Sequence, residues 1–218
     1  MRALLFVATF LLTSSVFGQS PLYWALANND ARAVWNLAAE VPDLLEENGL
    51  SAPAWAVERG NAEAIAALAW RGIPLDQVDA EGRNLLFGAA ALGRLDLFDT
   101  IAAAGARLDQ VDSLGRTLIH AAAPSPHPEM LKALLAKGLG ALDRTALGVT
   151  PLMLACGAGR ASEVQMLLDW GAVPEDRDYL GRSVRDYAVA GGDAATLALI
   201  DADLTPWTIE SSGGAPPP

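Results

Sequence analysis

Apolar residues recur along this chain at helical spacing, and glycines interrupt them at fixed intervals. Between Asp79 and Val111, Leu85, Leu86, Ala89 and Ala90 form one apolar face behind Asn84, a helix-capping residue, and Gly93 stops the pattern. A second face begins near Leu95 and runs through Leu97, Phe98 and Ile101 to Gly105, placed to end a helix in a left-handed conformation. The polar residues that follow, up to Gly115, predict a projecting hairpin. One period is therefore helix, turn, helix and finger.

The period is 33 residues. Gly49, Gly82, Gly115, Gly148 and Gly181 keep it, and so do Gly72, Gly105, Gly138 and Gly171. A third set, Gly60, Gly93, Gly159 and Gly192, misses one beat at Pro126, and Ala56, Ala89, Ala122, Ala155 and Ala188 add a fourth column. Neither helix of one unit can bury its apolar side alone, so the units must stack into one continuous core.

Helix, turn, helix and finger at this period resembles the ankyrin repeat. Thr150-Pro151-Leu152-Met153 keeps three letters of that family's Thr-Pro-Leu-His, Thr117-Leu118-Ile119-His120 keeps its Thr and His, and Gly105-Ala106 and Gly171-Ala172 keep its later pair. Asn84-Leu85-Leu86-Phe87 and Ser183-Val184-Arg185-Asp186 keep the capping side chain at their first position but not the proline or histidine. The expectation is an all-α ankyrin-repeat solenoid of about six helix-turn-helix units with projecting hairpin fingers. Its units fall near 21–45, 46–78, 79–111, 112–144, 145–177 and 178–204, within a domain over 20–204.

The ends read differently. Met1-Arg2, the apolar run Ala3 to Leu12 and the small or polar residues around Gly18 to Ser20 have the order of a secretory signal peptide over 1–19. About ten apolar residues are too few for a permanent span. The expected location is periplasmic or secreted, with no membrane span after cleavage. Residues 205–218, ending Gly213-Gly214-Ala215-Pro216-Pro217-Pro218, have the composition of a disordered tail.

The full chain carries 15 Lys and Arg against 26 Asp and Glu, a net charge of −11; losing Arg2 with the leader leaves 14 against 26 and −12. Such a surface repels nucleic acid and can steer a basic partner. A single cysteine, Cys156, makes no intramolecular disulfide, and its column otherwise holds Val57, Ala90 and Ala123, which places it in the core. His120 stands where the family carries a histidine that ties neighbouring fingers. His127 sits among prolines with no ligand cluster in sequence. No phosphate loop, metalloprotease helix or nucleophile elbow is present. We therefore expect no catalytic residues, no metal and no cofactor; an enzyme built on Cys156 or His127 is the remote alternative.

The resemblance implies a protein partner, bound through finger tips and first helices. The tips read Glu47-Asn48, Ala80-Glu81, Ser113-Leu114, Ala146-Leu147 and Tyr179-Leu180. Leu114, Leu147 and Leu180, joined by Tyr179, would make an apolar stripe, either a docking surface or packing between fingers. Arg83, Arg116 and Arg182 could meet a partner's carboxylates, or belong to the repeat itself. Leu92 in a first-helix column of mostly small residues and Trp170 at the end of a second helix complete the candidate set, with Glu81 at its tip. Trp24 and Trp35 are expected to close the amino-terminal end of the core, and Trp207 the other end. The chain reads as a monomeric, non-catalytic binder in the cell envelope, inhibitor or immunity protein by analogy, with a structural adaptor as the alternative.

Overall fold

Side-chain oxygens set where the helices begin. Ser51, Asn84 and Thr150 accept from the backbone N–H of Ala54, Leu86 and Met153 at 3.3, 3.2 and 3.3 Å, satisfying donors that a helix start leaves free. Asp30 and Asn61 cap the following helices in the same way, through Ala33 and Ala64. Because each cap precedes a short apolar run, the outcome is a series of short helices rather than a few long ones.

The computed structural model describes residues 21–38 and 51–204. The expected leader over 1–19, the first finger with Glu47-Asn48, and the tail with Trp207 lie outside the described residues. Among the described residues are twelve helices and no extended strand. They form six pairs: α1 Pro21–Ala27 with α2 Ala31–Leu37, α3 Ala52–Glu58 with α4 Ala62–Trp70, α5 Leu85–Ala91 with α6 Leu95–Ala103, α7 Leu118–Ala122 with α8 Pro128–Ala136, α9 Pro151–Gly157 with α10 Ala161–Asp169, and α11 Val184–Gly191 with α12 Ala194–Leu204. The first helices stack without a break from α1 to α11, and each packs on its own second helix. This is an all-α repeat solenoid.

The core is one slab along the stack. Leu86, Ala89, Leu97, Phe98 and Ile101 of the third pair are fully buried, and so are their 33-residue equivalents Ile119, Ala122, Met130, Leu131 and Leu134. In one column the slab turns polar: Glu163 and Thr196 continue the column of Leu97 and Met130, and Glu163 has a buried carboxyl oxygen with no partner among the described residues.

The turn inside each pair is welded to the pair before it. Gly93 has φ +66° and leaves no room for a side chain, because the His127 ring lies over it. At the equivalent places Arg94 Nη2 donates to Gly60 O at 2.8 Å and Asn61 Nδ2 to Asn29 Oδ1 at 3.2 Å. Asn29, at φ +55°, takes the left-handed place that glycine fills elsewhere. Pro126 cannot, and α7 is cut to five residues. Its proline-rich turn is held from both sides: Ser125 Oγ donates to Ala91 O at 2.8 Å, and Arg160 Nε donates to Pro124 O at 3.1 Å.

One expectation about tryptophan is corrected here. Trp35 does not close the core; it is exposed, with the Arg71 guanidinium stacked 3.6 Å over its ring. Trp70 is 87% exposed, far more than the end of a packed helix requires.

Candidate functional site

Each finger is closed by its own first residue. Asp112 N–H donates to Arg116 O at 3.0 Å and Gly115 N–H to Asp112 O at 2.9 Å, a three-residue hairpin loop whose glycine has φ +72°. The Asp112 carboxylate then fills the loop: Oδ1 accepts from the N–H of Leu114 and Arg116 at 2.9 and 2.8 Å, and Oδ2 from Arg116 Nε at 2.6 Å. Asp79 and Asp178 repeat the arrangement with Arg83 and Arg182. Thr145 makes the backbone part of it with its hydroxyl, at 3.3 Å to Leu147 N and 3.1 Å to Val149 N.

These bonds fix the carboxyl charges. Burial alone would raise the Asp178 pKa, but the Arg182 side chain and backbone, the Tyr187 hydroxyl at 2.9 Å and the Leu180 N–H outweigh it and hold the group down at about 2. Asp112 faces the same opposition: burial pushes up, Arg116 and Leu114 pull down further, and it stays below the ordinary carboxylate value. Arg83, Arg116 and Arg182 thus have their Nε atoms committed to the base of their own fingers, which is where the structure places these three candidates.

The tips are joined by main-chain atoms. Ser113 N–H donates to Glu81 O at 2.7 Å, Ala146 N–H to Leu114 O at 2.8 Å, and Tyr179 N–H to Leu147 O at 2.9 Å. The Tyr179 ring also lies across Gly148. Even so, Leu114 and Leu147 are 53% exposed, Leu180 69% and Tyr179 70%. The predicted row exists as a line of apolar side chains on a backbone ladder, with Glu81 at its amino-terminal end.

Between fingers and first helices runs a groove of about 570 Å³. Its helix side is made by Val57, Gly88, Ala91, Ala121 and Leu154, and its finger side by Val78, Asp79, Arg83 and Arg116. Gly88 keeps the floor low: a Cβ there would stand 2.9 Å from Val57 Cγ1. His120 forms part of the lining while its ring ties α7 to the next finger. Thr117 N–H donates to Nδ1 at 3.2 Å, so Nε2 carries the proton and donates to Val149 O at 3.1 Å. Burial pushes its pKa below the usual histidine value, against the pull of that carbonyl.

The structure brings Arg83 and Arg116 to the groove and lines Leu114, Leu147, Tyr179 and Leu180 along the tips. Leu92, at the end of α5, and Trp170, at the end of α10, are exposed but are not among the residues lining the groove. Neither is Arg182, whose guanidinium sits 4.9 Å over the Tyr187 ring. The inner column Trp55, Gly88, Ala121, Leu154 and Tyr187 was the missed signal. It keeps the 33-residue period, and its smallest members, Gly88 and Ala121, mark the groove floor.

The other chemistry is quiet. Burial pushes the Cys156 thiol up to about 12, where it holds its proton at neutral pH. Among the described residues no three His, Cys, Asp or Glu side chains are grouped to hold a metal ion, and no helix is long and apolar enough to cross a membrane.

Residues 86–178 match the family profile of ankyrin repeats, in three copies. No curated protein matches the chain. Ankyrin repeats are generally protein-interaction modules and are usually non-catalytic.

Proposed function

We propose that this chain is a protein-binding module of the cell envelope, exported by its leader, that occludes part of another protein and so inhibits it. The observation that carries the reading is the groove of about 570 Å³ over Gly88 and Ala121, a preformed concave surface of small and apolar residues. A surface that is already shaped loses little entropy on binding. Its finger charges are internally paired, so a partner meets few groups that need a counter-charge there. The net charge, −11 for the full chain and one unit more negative once Arg2 leaves with the leader, favours a basic partner by long-range attraction. An inhibitory role of the immunity type rests on analogy with exported repeat proteins of bacteria.

The test uses the chain without its leader as bait in a periplasmic extract, beside a variant carrying Val78→Asp and Ala91→Arg, both exposed groove positions. A protein retained by the wild type and lost by the variant, at unchanged thermal midpoint, supports the groove. Equal retention by both removes it. If the retained protein is a hydrolase or toxin whose activity falls on adding the chain, the inhibitor reading stands; a structural or transport protein makes the chain an adaptor. Export is checked by fractionation and amino-terminal sequencing, and an intact Met1 in a cytoplasmic fraction refutes it.

A further inference from the structure

The groove is not uniform along its length. Its floor column keeps the 33-residue period as Trp55, Gly88, Ala121, Leu154 and Tyr187, so two small residues lie between large ones. Trp55 is buried and Leu154 half-buried, which leaves the step at Gly88 and Ala121 as a notch lined also by Val57, Val78 and Ala91. All five of these residues are apolar, so a partner's aliphatic side chain seated there removes apolar surface from water.

The charges round the notch do not balance. On the finger side two guanidiniums meet three carboxylates: Arg83 is shared by Asp79 at 2.8 Å and Glu81 at 2.9 Å, and Arg116 is held by Asp112 at 2.6 Å. Burial pushes the Asp79 and Asp112 carboxyls up, but the bonds from Arg83 and Arg116 outweigh it, so both stay ionised at neutral pH. On the helix side Glu58, exposed at the end of α3, adds a further carboxylate. Its neighbour Arg59 is turned onto the Trp55 ring, 4.4 Å from the centroid.

The rest of the chain does not supply the missing cation. Among the described residues no lysine or arginine forms an ion pair with Glu58. Outside them the chain carries neither residue type except at Arg2, and the sequence just before α3 adds only acid, at Glu40, Asp43, Glu46 and Glu47. The counter-charge has to come from a partner.

Geometry sets the spacing of what binds. α3, α5 and α7 are neighbouring first helices, and packed helices stand about 8–10 Å apart. Glu58 on α3 and Gly88 on α5 are therefore one step apart, which about three residues of extended chain cover.

We propose that the groove takes an extended basic and aliphatic segment of its partner, with a lysine or arginine against Glu58 and, about three positions away, a valine, isoleucine or leucine in the notch over Gly88 and Ala121. The assignment deepens the reading of the groove as the binding site and rests on it. An acidic segment is selected against: it would meet Glu58, and the guanidiniums within its reach are already held by their own fingers.

Two variants test the assignment. Glu58→Lys changes an exposed position whose column otherwise holds Ala91, Pro124, Gly157 and Ala190, and Ala121→Leu places in the notch the residue that Leu154 supplies one repeat later. The probe is a phage library of random dodecapeptides, selected on residues 20–218 and counter-selected on the Val78→Asp, Ala91→Arg variant. We expect enriched peptides to carry Lys or Arg about three positions from Val, Ile or Leu. By fluorescence anisotropy the best of them should bind each variant about tenfold more weakly than the wild type, and Glu58→Lys should recover a peptide whose basic residue is changed to glutamate. Thermal midpoints are measured alongside, and a variant that melts below the wild type is replaced by Glu58→Gln or Ala121→Val. Enriched peptides that are acidic, that lack a basic residue, or that bind Glu58→Lys as well as the wild type overturn the proposal and leave the groove as a binding site. No enrichment over the counter-selected variant removes the groove reading itself, and this proposal with it.

Discussion

Replacing Asp112 with alanine measures what holds a finger shut. The carboxylate, fully buried in its loop, accepts two backbone N–H groups and the Arg116 Nε. Alanine leaves those two donors without an acceptor, while the Arg116 guanidinium, its side chain 38% exposed, can turn to water, which places the cost at about 2–3 kcal/mol, chiefly that of the unsatisfied loop donors. Threonine supplies the pattern that Thr145 uses, restoring two neutral bonds of about 1 kcal/mol each, so Asp112→Thr should cost about half as much. Asp79 makes the same bonds with its side chain 42% exposed, where water can substitute, and Asp79→Ala should cost about 1 kcal/mol. Urea unfolding at constant m-value gives the differences, and amide exchange at Leu114 and Arg116 shows whether the loss is local. Equal costs for Asp112→Ala and Asp79→Ala, or no rescue by threonine, would refute the argument that buried loop closure is what matters.

Stability should also fall in acid in two stages. His120 is held below its usual pKa of 6.5 by burial, so the unfolded chain takes the proton first and stability declines as pH drops below about 6.5; His120→Asn should flatten that limb in urea midpoints measured at several pH values. Asp178, held at about 2 against 3.8, contributes stability above about pH 4 that is lost as pH falls toward 2, and Asp178→Asn should lack this second limb. Glu163→Met, which restores the residue type of Met130 in the same column, should raise stability by about 1–3 kcal/mol; a lowered thermal midpoint would mean that the carboxyl has a native role. Cys156 should resist a thiol reagent at pH 8 in the folded chain and react at once in denaturant.

The solenoid was legible because glycines, caps and apolar columns share one period, and a stack must repeat what each unit repeats. The first unit was harder to read because Asn29 replaces glycine and stands 31 residues before Gly60, so it falls off the beat. The site was only partly legible. A period reveals which residues share a column but not which way the column faces. Gly88 and Ala121 read as small residues without showing that they floor a groove, and Arg83 and Arg116 read as free donors without showing the carboxylates closed onto them. Glu163 was hidden for the same reason, since a charged residue in an apolar column looks like a solvated face until its neighbours are in place.

The tip ladder separates two demands that most surfaces combine. Its bonds run from amide to carbonyl, and side chains at Glu81, Leu114 and Leu147 take no part in them. Sequence drift at those positions can therefore change the chemistry of the exposed tips while the array beneath stays intact. An engineer could randomise the same positions on an unchanged scaffold.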